Sequence, residues 1–160
     1  MIQLIRIDDR LLHGQVAYSW KGSLGYEAIV IASDNAANDE IRKSAMKMAK
    51  PDGVHLAIRK VKDAVDLLNN PRLKSLKVFV VTDTVDNADY ILRHINEKPV
   101  LNIGGLAKRE DKIEITQYAY ITSEEKEVLK KLNSDGFKVE FRLVPSDTPK
   151  KLNDLIKGGE

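Results

Sequence analysis

Ile2-Gln3-Leu4-Ile5-Arg6-Ile7-Asp8-Asp9-Arg10-Leu11-Leu12-His13-Gly14-Gln15-Val16 joins two kinds of pattern within fifteen residues. The apolar run from Ile2 to Ile7 reads as a strand. It breaks into two acids, an arginine, two leucines, a histidine and a glycine. A short helical pattern then begins with Val16, Ala17 and Trp20. A strand that ends in a polar, glycine-containing turn and feeds a helix is the unit from which α/β sheets are built. It is also where such sheets place ligands.

The unit recurs along the chain. Tyr26 to Ala32 is a nearly unbroken apolar run, the mark of a strand buried on both faces of a parallel sheet. Ser33-Asp34-Asn35 ends it, and Asn38 is placed to cap a helix whose inward face would be Ile41, Ala45 and Met48. Val54 to Ile58 is a third strand. Val61, Ala64, Val65 and Leu68 mark an amphipathic helix. Leu76 to Val81 is a fourth strand, ending in Thr82-Asp83-Thr84. Val85, Ala88, Ile91, Leu92 and Ile95 line the next helix, and Pro99 to Ile103 is a short fifth strand that closes on Gly104-Gly105. Short strands are expected at 113–115 and 118–121, followed by a helix capped by Thr122 or Ser123. Phe137 to Val144 alternates strictly, as an edge or half-exposed strand does. Lys150 to Ile156 is read as a terminal helix and 157–160 as a loose tail. The expected fold is therefore α/β, an open, mostly parallel twisted sheet with helices on both faces and an antiparallel edge strand. It forms a single domain over residues 1–156.

Composition narrows the function. The 160 residues carry a formal net charge of +2 with lysines interspersed among acids, so no basic face points to nucleic acid. No cysteine is present, which excludes thiolate catalysis, disulfides and cysteine-ligated metals. No apolar run approaches the ~18 residues of a membrane span. No basic stretch leads into an apolar run and a small-residue cleavage site, so a cytoplasmic location is expected.

In a sheet of this kind the ligand site lies beyond the carboxyl ends of the strands. Of three histidines, His55 falls within a strand and His94 near a helix end, both ordinary structural positions. His13 lies in the ligand-side loop, where an imidazole can act as acid, base or covalent nucleophile. Arg10 offers a planar fork of donors suited to phosphate. Gly14 and Gln15 add backbone amides at a helix start, which favours an anion. Asp8 or Asp9 would orient the imidazole or hold Arg10. Thr82, Thr84 and Asn102-Ile103-Gly104-Gly105 would supply further donors. P-loop, dinucleotide and zinc-histidine motifs are absent. A receiver domain would need an aspartate where Ile58-Arg59-Lys60 stands. The residues alone leave two classes open: a phosphoryl-transfer enzyme, or a small-molecule-binding or regulatory α/β domain that uses the same loop.

Arg6 to Val16 resembles the active-site signature of the IIB component of the mannose/fructose/sorbose class of the bacterial sugar phosphotransferase system (PTS). Asp34-Asn35, Arg42-Lys43, Asn102 to Gly105 and Arg142 to Asp147 resemble that family's pattern at its usual positions, so the likeness runs from Met1 to about Ile156. The resemblance implies a protein-Nπ-phosphohistidine–sugar phosphotransferase. In it His13 takes a phosphoryl group from a IIA protein on Nδ1, Arg10 contacts that group, and the sugar receives it through a membrane IIC/IID complex. It implies no cofactor or metal, peripheral association with the permease, sugar choice resting with the membrane subunits, and a separate IIB subunit. Leu11 and Leu12 read as packing residues, although Leu11, if exposed, would offer an apolar docking contact to those partners; Trp20 reads as a core or interface residue, and it and the alternating strand are candidate homodimer surfaces.

Overall fold

The apolar runs of the sequence become the interior strands of one sheet. A computed structural model of the chain describes residues 1–156. The elements in order are β1 (Ile2–Ile7), α1 (Gly14–Leu24), β2 (Ala28–Ala32), α2 (Asp34–Ala37), α3 (Glu40–Ala49), β3 (His55–Arg59) and α4 (Val61–Leu68). A short 3-10 turn (Pro71–Ser75) leads to β4 (Val78–Thr82), α5 (Val85–His94) and β5 (Leu101–Ile103). Then come β6 (Ile113–Thr116), β7 (Ala119–Ile121), α6 (Ser123–Ser134), β8 (Val139–Phe141), β9 (Lys150–Lys151) and α7 (Leu152–Leu155).

Seven strands form a sheet in the order β3-β2-β4-β1-β5-β8-β9, and β6 and β7 form a separate antiparallel hairpin. All pairs from β3 to β8 are parallel. Every residue of β2 and β4 is buried, as their uninterrupted Val/Ile content requires of strands covered on both faces. One face carries α4, α5, α6 and α7 on a core that includes Val65, Ile91, Leu129 and Phe141. The other carries α1 and α3 on a smaller core built from Leu11, Leu12, Trp20, Tyr26, Met46 and Phe79. Phe79 stacks between Trp20 and Tyr26, with centroids 6.3 and 5.2 Å away. The Tyr26 hydroxyl donates to the Ala17 carbonyl, and burial pushes its pKa up to about 12.

The antiparallel edge strand exists, but it is β9 rather than the alternating segment. β8 runs parallel to β5 and lies one strand in from the edge, with β9 paired antiparallel outside it. Its alternation arises because Val139 and Phe141 are buried while Glu140 is half-buried. The expected terminal helix accordingly shortens to α7, its first two residues being taken by β9. The expected loose tail lies outside the described residues. On α3 the inward face is inverted. Ile41 and Met48 are 83% and 88% exposed, Ala45 is exposed, and Met46 is buried. The cap is Asp39, whose carboxylate accepts from the Ile41 and Arg42 amides, while Ser33 caps α2. The two-helix turn fixes the rotation of α3, and periodicity alone does not select between its two apolar stripes. Trp20 is fully buried, so it forms core and not a dimer surface.

Candidate functional site

The end of β1 is anchored by its neighbours. The Asp8 amide donates to the Thr82 carbonyl on β4, and the Asp9 amide donates to the Gly105 carbonyl beyond β5, each at 2.9 Å. The chain leaves β1 toward the face of α1 and leaves β5 toward the β6–β7 hairpin on the opposite face. The crevice between them is the switch-point position that open α/β sheets use for ligands. The Leu11 amide closes a tight turn by donating to the Asp8 carbonyl at 2.9 Å, and Leu11 adopts a left-handed φ of 56°. That conformation costs a non-glycine residue roughly 1–2 kcal/mol. Here it drives Leu11 to 0% and Leu12 to 4% exposure, leaving Arg10 on the surface. Leu11 is thus a core residue, in agreement with its reading as a packing residue and against the docking contact also considered for it.

His13 is the N-cap residue of α1. Its carbonyl accepts from the Ala17 amide at 2.9 Å, but its side chain caps nothing, and the first turn of α1 contains no acid. The positive end of the helix dipole is therefore open beside the imidazole. The ring is about a quarter exposed, with side-chain accessibility of 23%. Nε2 is turned inward, buried, and 3.6 Å from Asp8 Oδ2, beyond a hydrogen bond but well within electrostatic reach. Nδ1 is the nitrogen left open to solvent. Burial lowers the His13 pKa below 6.5, the nearby Asp8 carboxylate partly offsets this, and Arg10 adds to the lowering. The imidazole is accordingly neutral at pH 7, the state a nucleophile needs.

Beneath His13 lies a buried ionic chain. Arg6, at 0% exposure, donates from Nη1 to Asn102 Oδ1 (2.7 Å) and to the Arg142 carbonyl (3.2 Å), and from Nη2 to Asp8 Oδ2 (3.2 Å). Desolvation lowers its pKa and the Asp8 charge opposes that shift. Asp8 Oδ1 accepts from the Arg10 amide at 3.0 Å. The guanidinium groups of Arg6 and Arg142 lie 5.5 and 5.0 Å from the Trp20 ring centroid, cation–π contacts that make the buried indole a support for the site.

Arg10, His13 and Gln15 come together with Arg6, Val16, Ser19, Leu143 and Val144 around a pocket of about 70 Å³. Gly14 opens α1 beside it. Asp8 sits behind the imidazole. Asp9 does not join them: its carboxylate accepts from the Ala107 amide at 2.7 Å and borders a separate hollow with Asp83, Thr84 and Arg109. Thr82 and Thr84 do not line the His13 pocket either. Thr82 is buried and donates to the Ala32 carbonyl at 2.6 Å, tying β4 to β2, and Thr84 caps α5. Gly104 and Gly105 matter for what they lack. A Cβ on Gly104 would overlap the Arg6 guanidinium, and one on Gly105 would touch Asp8 at 3.5 Å. Arg6 and the Leu143-Val144 wall went unread as site residues. The signal for Arg6 was a charge flanked by Ile5 and Ile7 in an interior strand, which demands a buried partner. His94 lies on α5, its Nδ1 2.7 Å from the Tyr90 carbonyl, and His55 opens β3 on the surface. Among the described residues no three of His, Asp and Glu gather as a metal site, and no helix is long and apolar enough to cross a membrane.

Comparison with known proteins gives a consistent result. The family model described as "PTS system sorbose subfamily IIB component" matches residues 2–160. A probable phosphotransferase enzyme IIB component of Streptococcus pyogenes serotype M6 is 34% identical, over 98% of this chain and 99% of that protein. The mannose-specific EIIAB component of the Escherichia coli K12 PTS is 31% identical over 98% of this chain, which spans 48% of that longer protein. The crystal structure of the IIBSor domain of the sorbose permease from Klebsiella pneumoniae superposes with a TM-score of 0.93, at 30% identity, covering 100% of this chain and 98% of that one.

Proposed function

The chain belongs to the sorbose-subfamily IIB components of the PTS, which act as phosphotransferases in sugar transport, and on that premise we propose that His13 carries the transferred phosphoryl group on Nδ1. The donor is a IIA protein and the acceptor is a sugar entering through a membrane IIC/IID complex, at whose cytoplasmic side this subunit works. The Nδ1 lone pair attacks phosphorus in line. The Nδ1–P bond forms as the bond from phosphorus to the donor's nucleophile breaks, and the donor recovers that electron pair. A sugar hydroxyl oxygen then attacks phosphorus, the N–P bond breaks, the pair returns to Nδ1, and the hydroxyl proton passes to water. Little covalent work falls to the protein, so positioning and charge stabilisation dominate.

One observation carries this reading: His13 has a buried Nε2 facing Asp8 and an open Nδ1 at an uncapped helix N-terminus beside Arg10. A carboxylate opposite Nε2 favours a proton there and leaves the lone pair on Nδ1. Arg10, exposed and next to the pocket, clamps the phosphoryl oxygens, and the Gly14 and Gln15 amides face the same charge. Asp8 orients the imidazole, while Asp9 fixes the loop after β5 through Ala107. The pocket, at about 70 Å³, falls far below the roughly 300–1,000 Å³ of small-molecule sites, which disfavours a ligand-binding or regulatory domain.

Incubation with a phosphorylated IIA donor tests the reading. Acid-labile, alkali-stable phosphate is expected on the wild type and none on His13→Ala. Wild-type protein that no matched donor labels would sink it. Arg10→Ala should slow transfer by about 10–100-fold, the value of a charge-assisted hydrogen bond, with an unchanged unfolding midpoint because the side chain is exposed.

A further inference from the structure

An arginine inside a central strand needs an explanation beyond packing. Arg6 is fully buried between Ile5 and Ile7, and the sheet is arranged to keep it there. Glu140 Oε2 on β8 accepts from Asn102 Nδ2 at 2.9 Å and from Arg142 Nε at 3.0 Å. With its amide nitrogen committed to a carboxylate, Asn102 must present Oδ1 to Arg6, at 2.7 Å. Gly104 leaves room that any side chain would fill. On its far side Arg6 meets Asp8 Oδ2, the same oxygen that faces His13 Nε2. The second Asp8 oxygen is tied to the Arg10 amide, so the carboxylate has no freedom to turn. The chain of contacts runs from Glu140 through Asn102, Arg6 and Asp8 to His13, across three strands and into the loop.

We propose that Arg6 is a positioning residue: locked by Asn102 and by the absence of a side chain at Gly104, it keeps the Asp8 carboxylate aimed at Nε2, so that His13 rests in the Nε2–H tautomer. A carboxylate at 1% exposure that lost its counter-charge would swing toward water. It would then place no negative charge against Nε2, and the tautomer ratio would fall back toward that of a free histidine side chain. Arg6 touches neither the donor nor the reacting nitrogen. The inference rests on the function proposed above only for its consequence, that the nitrogen kept bare is the one that reacts.

The test reads the tautomer directly, on unphosphorylated protein with 15N-labelled histidine, from two-bond 15N–1H correlations of the neutral His13 ring. Wild type should show Nε2–H predominating, and Nδ1–H predominance would overturn the proposal at once. Two variants divide the network, the first reading the Asp8 charge and the second the Asn102 strut that locks Arg6. Arg6→Gln with Asp8→Asn removes both charges together, so neither is left alone in the core. Asn102→Ala keeps both charges and removes only the strut. In the double variant the tautomer ratio should fall by about tenfold, as expected for loss of one charge-assisted contact, with a smaller fall in Asn102→Ala. If the double variant does not fold, Asn102→Ala decides. An unchanged ratio in folded Asn102→Ala refutes the role of Arg6, and an unchanged ratio in the folded double variant refutes the bias from Asp8 on which that role depends. The outcomes separate this inference from the proposed function. A donor that labels His13 while the ratio stays fixed removes only the role of Arg6. A shifted ratio in a protein that no donor labels removes only the phosphoryl carrier.

Discussion

Leu11 and His13 stand two residues apart and point in opposite directions because one backbone angle is left-handed. Leu11→Asp should therefore unfold the protein rather than weaken a docking surface. A charge placed at a fully buried position costs at least about 3 kcal/mol, read as a lowered urea midpoint, whereas Leu11→Met should be nearly neutral. A Leu11→Asp protein with wild-type stability would show the turn to be wrongly placed. At His13 the sign of the pKa shift sets the pH response. Burial lowers the pKa, so the reactive neutral ring persists as pH falls through 6.5 and is lost only below it. The initial rate of phosphoryl acceptance should still exceed half its plateau at pH 6.5, and a rate already halved at pH 6.5 or above contradicts the assignment. That His13 and Arg10 share one pocket was legible in the sequence because their types and spacing sit in a loop after a strand. The burial of Leu11 agrees with its reading as a packing residue, but the turn that achieves it was not legible, since nothing in a Leu-Leu pair announces a positive φ. Asp8 and Asp9 are neighbours of one type, and only the strands flanking β1 decide which of them faces the imidazole.

At the scale of elements, α1 presents an open positive end and α3 presents an apolar face to solvent. The orientation of α3 makes a distinguishing prediction. Ile41→Lys and Met48→Lys should each change stability by no more than about 0.5 kcal/mol, while Met46→Lys should cost about 3 kcal/mol or more. Denaturant titration of the three variants reads the rotation of the helix, and large losses at positions 41 and 48 would mean the opposite face is inward. The strands were legible wherever an unbroken apolar run met a turn, as in Ala28–Ala32 and Val78–Thr82. The stripe chosen by α3 was not, because it depends on how Ser33 and Asp39 cap two successive helices. Nor was β9, whose two lysines carry no strand signal and gain their hydrogen bonds only from β8.

Across the whole molecule, the alternation of strands and helices identified the class of sheet but not its order, since many crossovers satisfy the same alternation. The order matters because β1, first in the chain, lies at the centre. Its hydrogen-bonding neighbours are residues 78–82 and 101–103, and the residues beneath its histidine extend to Glu140. No local hairpin can shelter Ile2–Ile7 in the meantime. As the chain grows at about 5–20 residues per second, this apolar strand is without its β4 partner until residue 78 has been added, roughly 4–14 s after Ile7 at that pace. The strand that later positions His13 is thus an apolar segment left long unpaired in the nascent polypeptide. Its window for mispairing or chaperone capture is fixed by the sheet order itself.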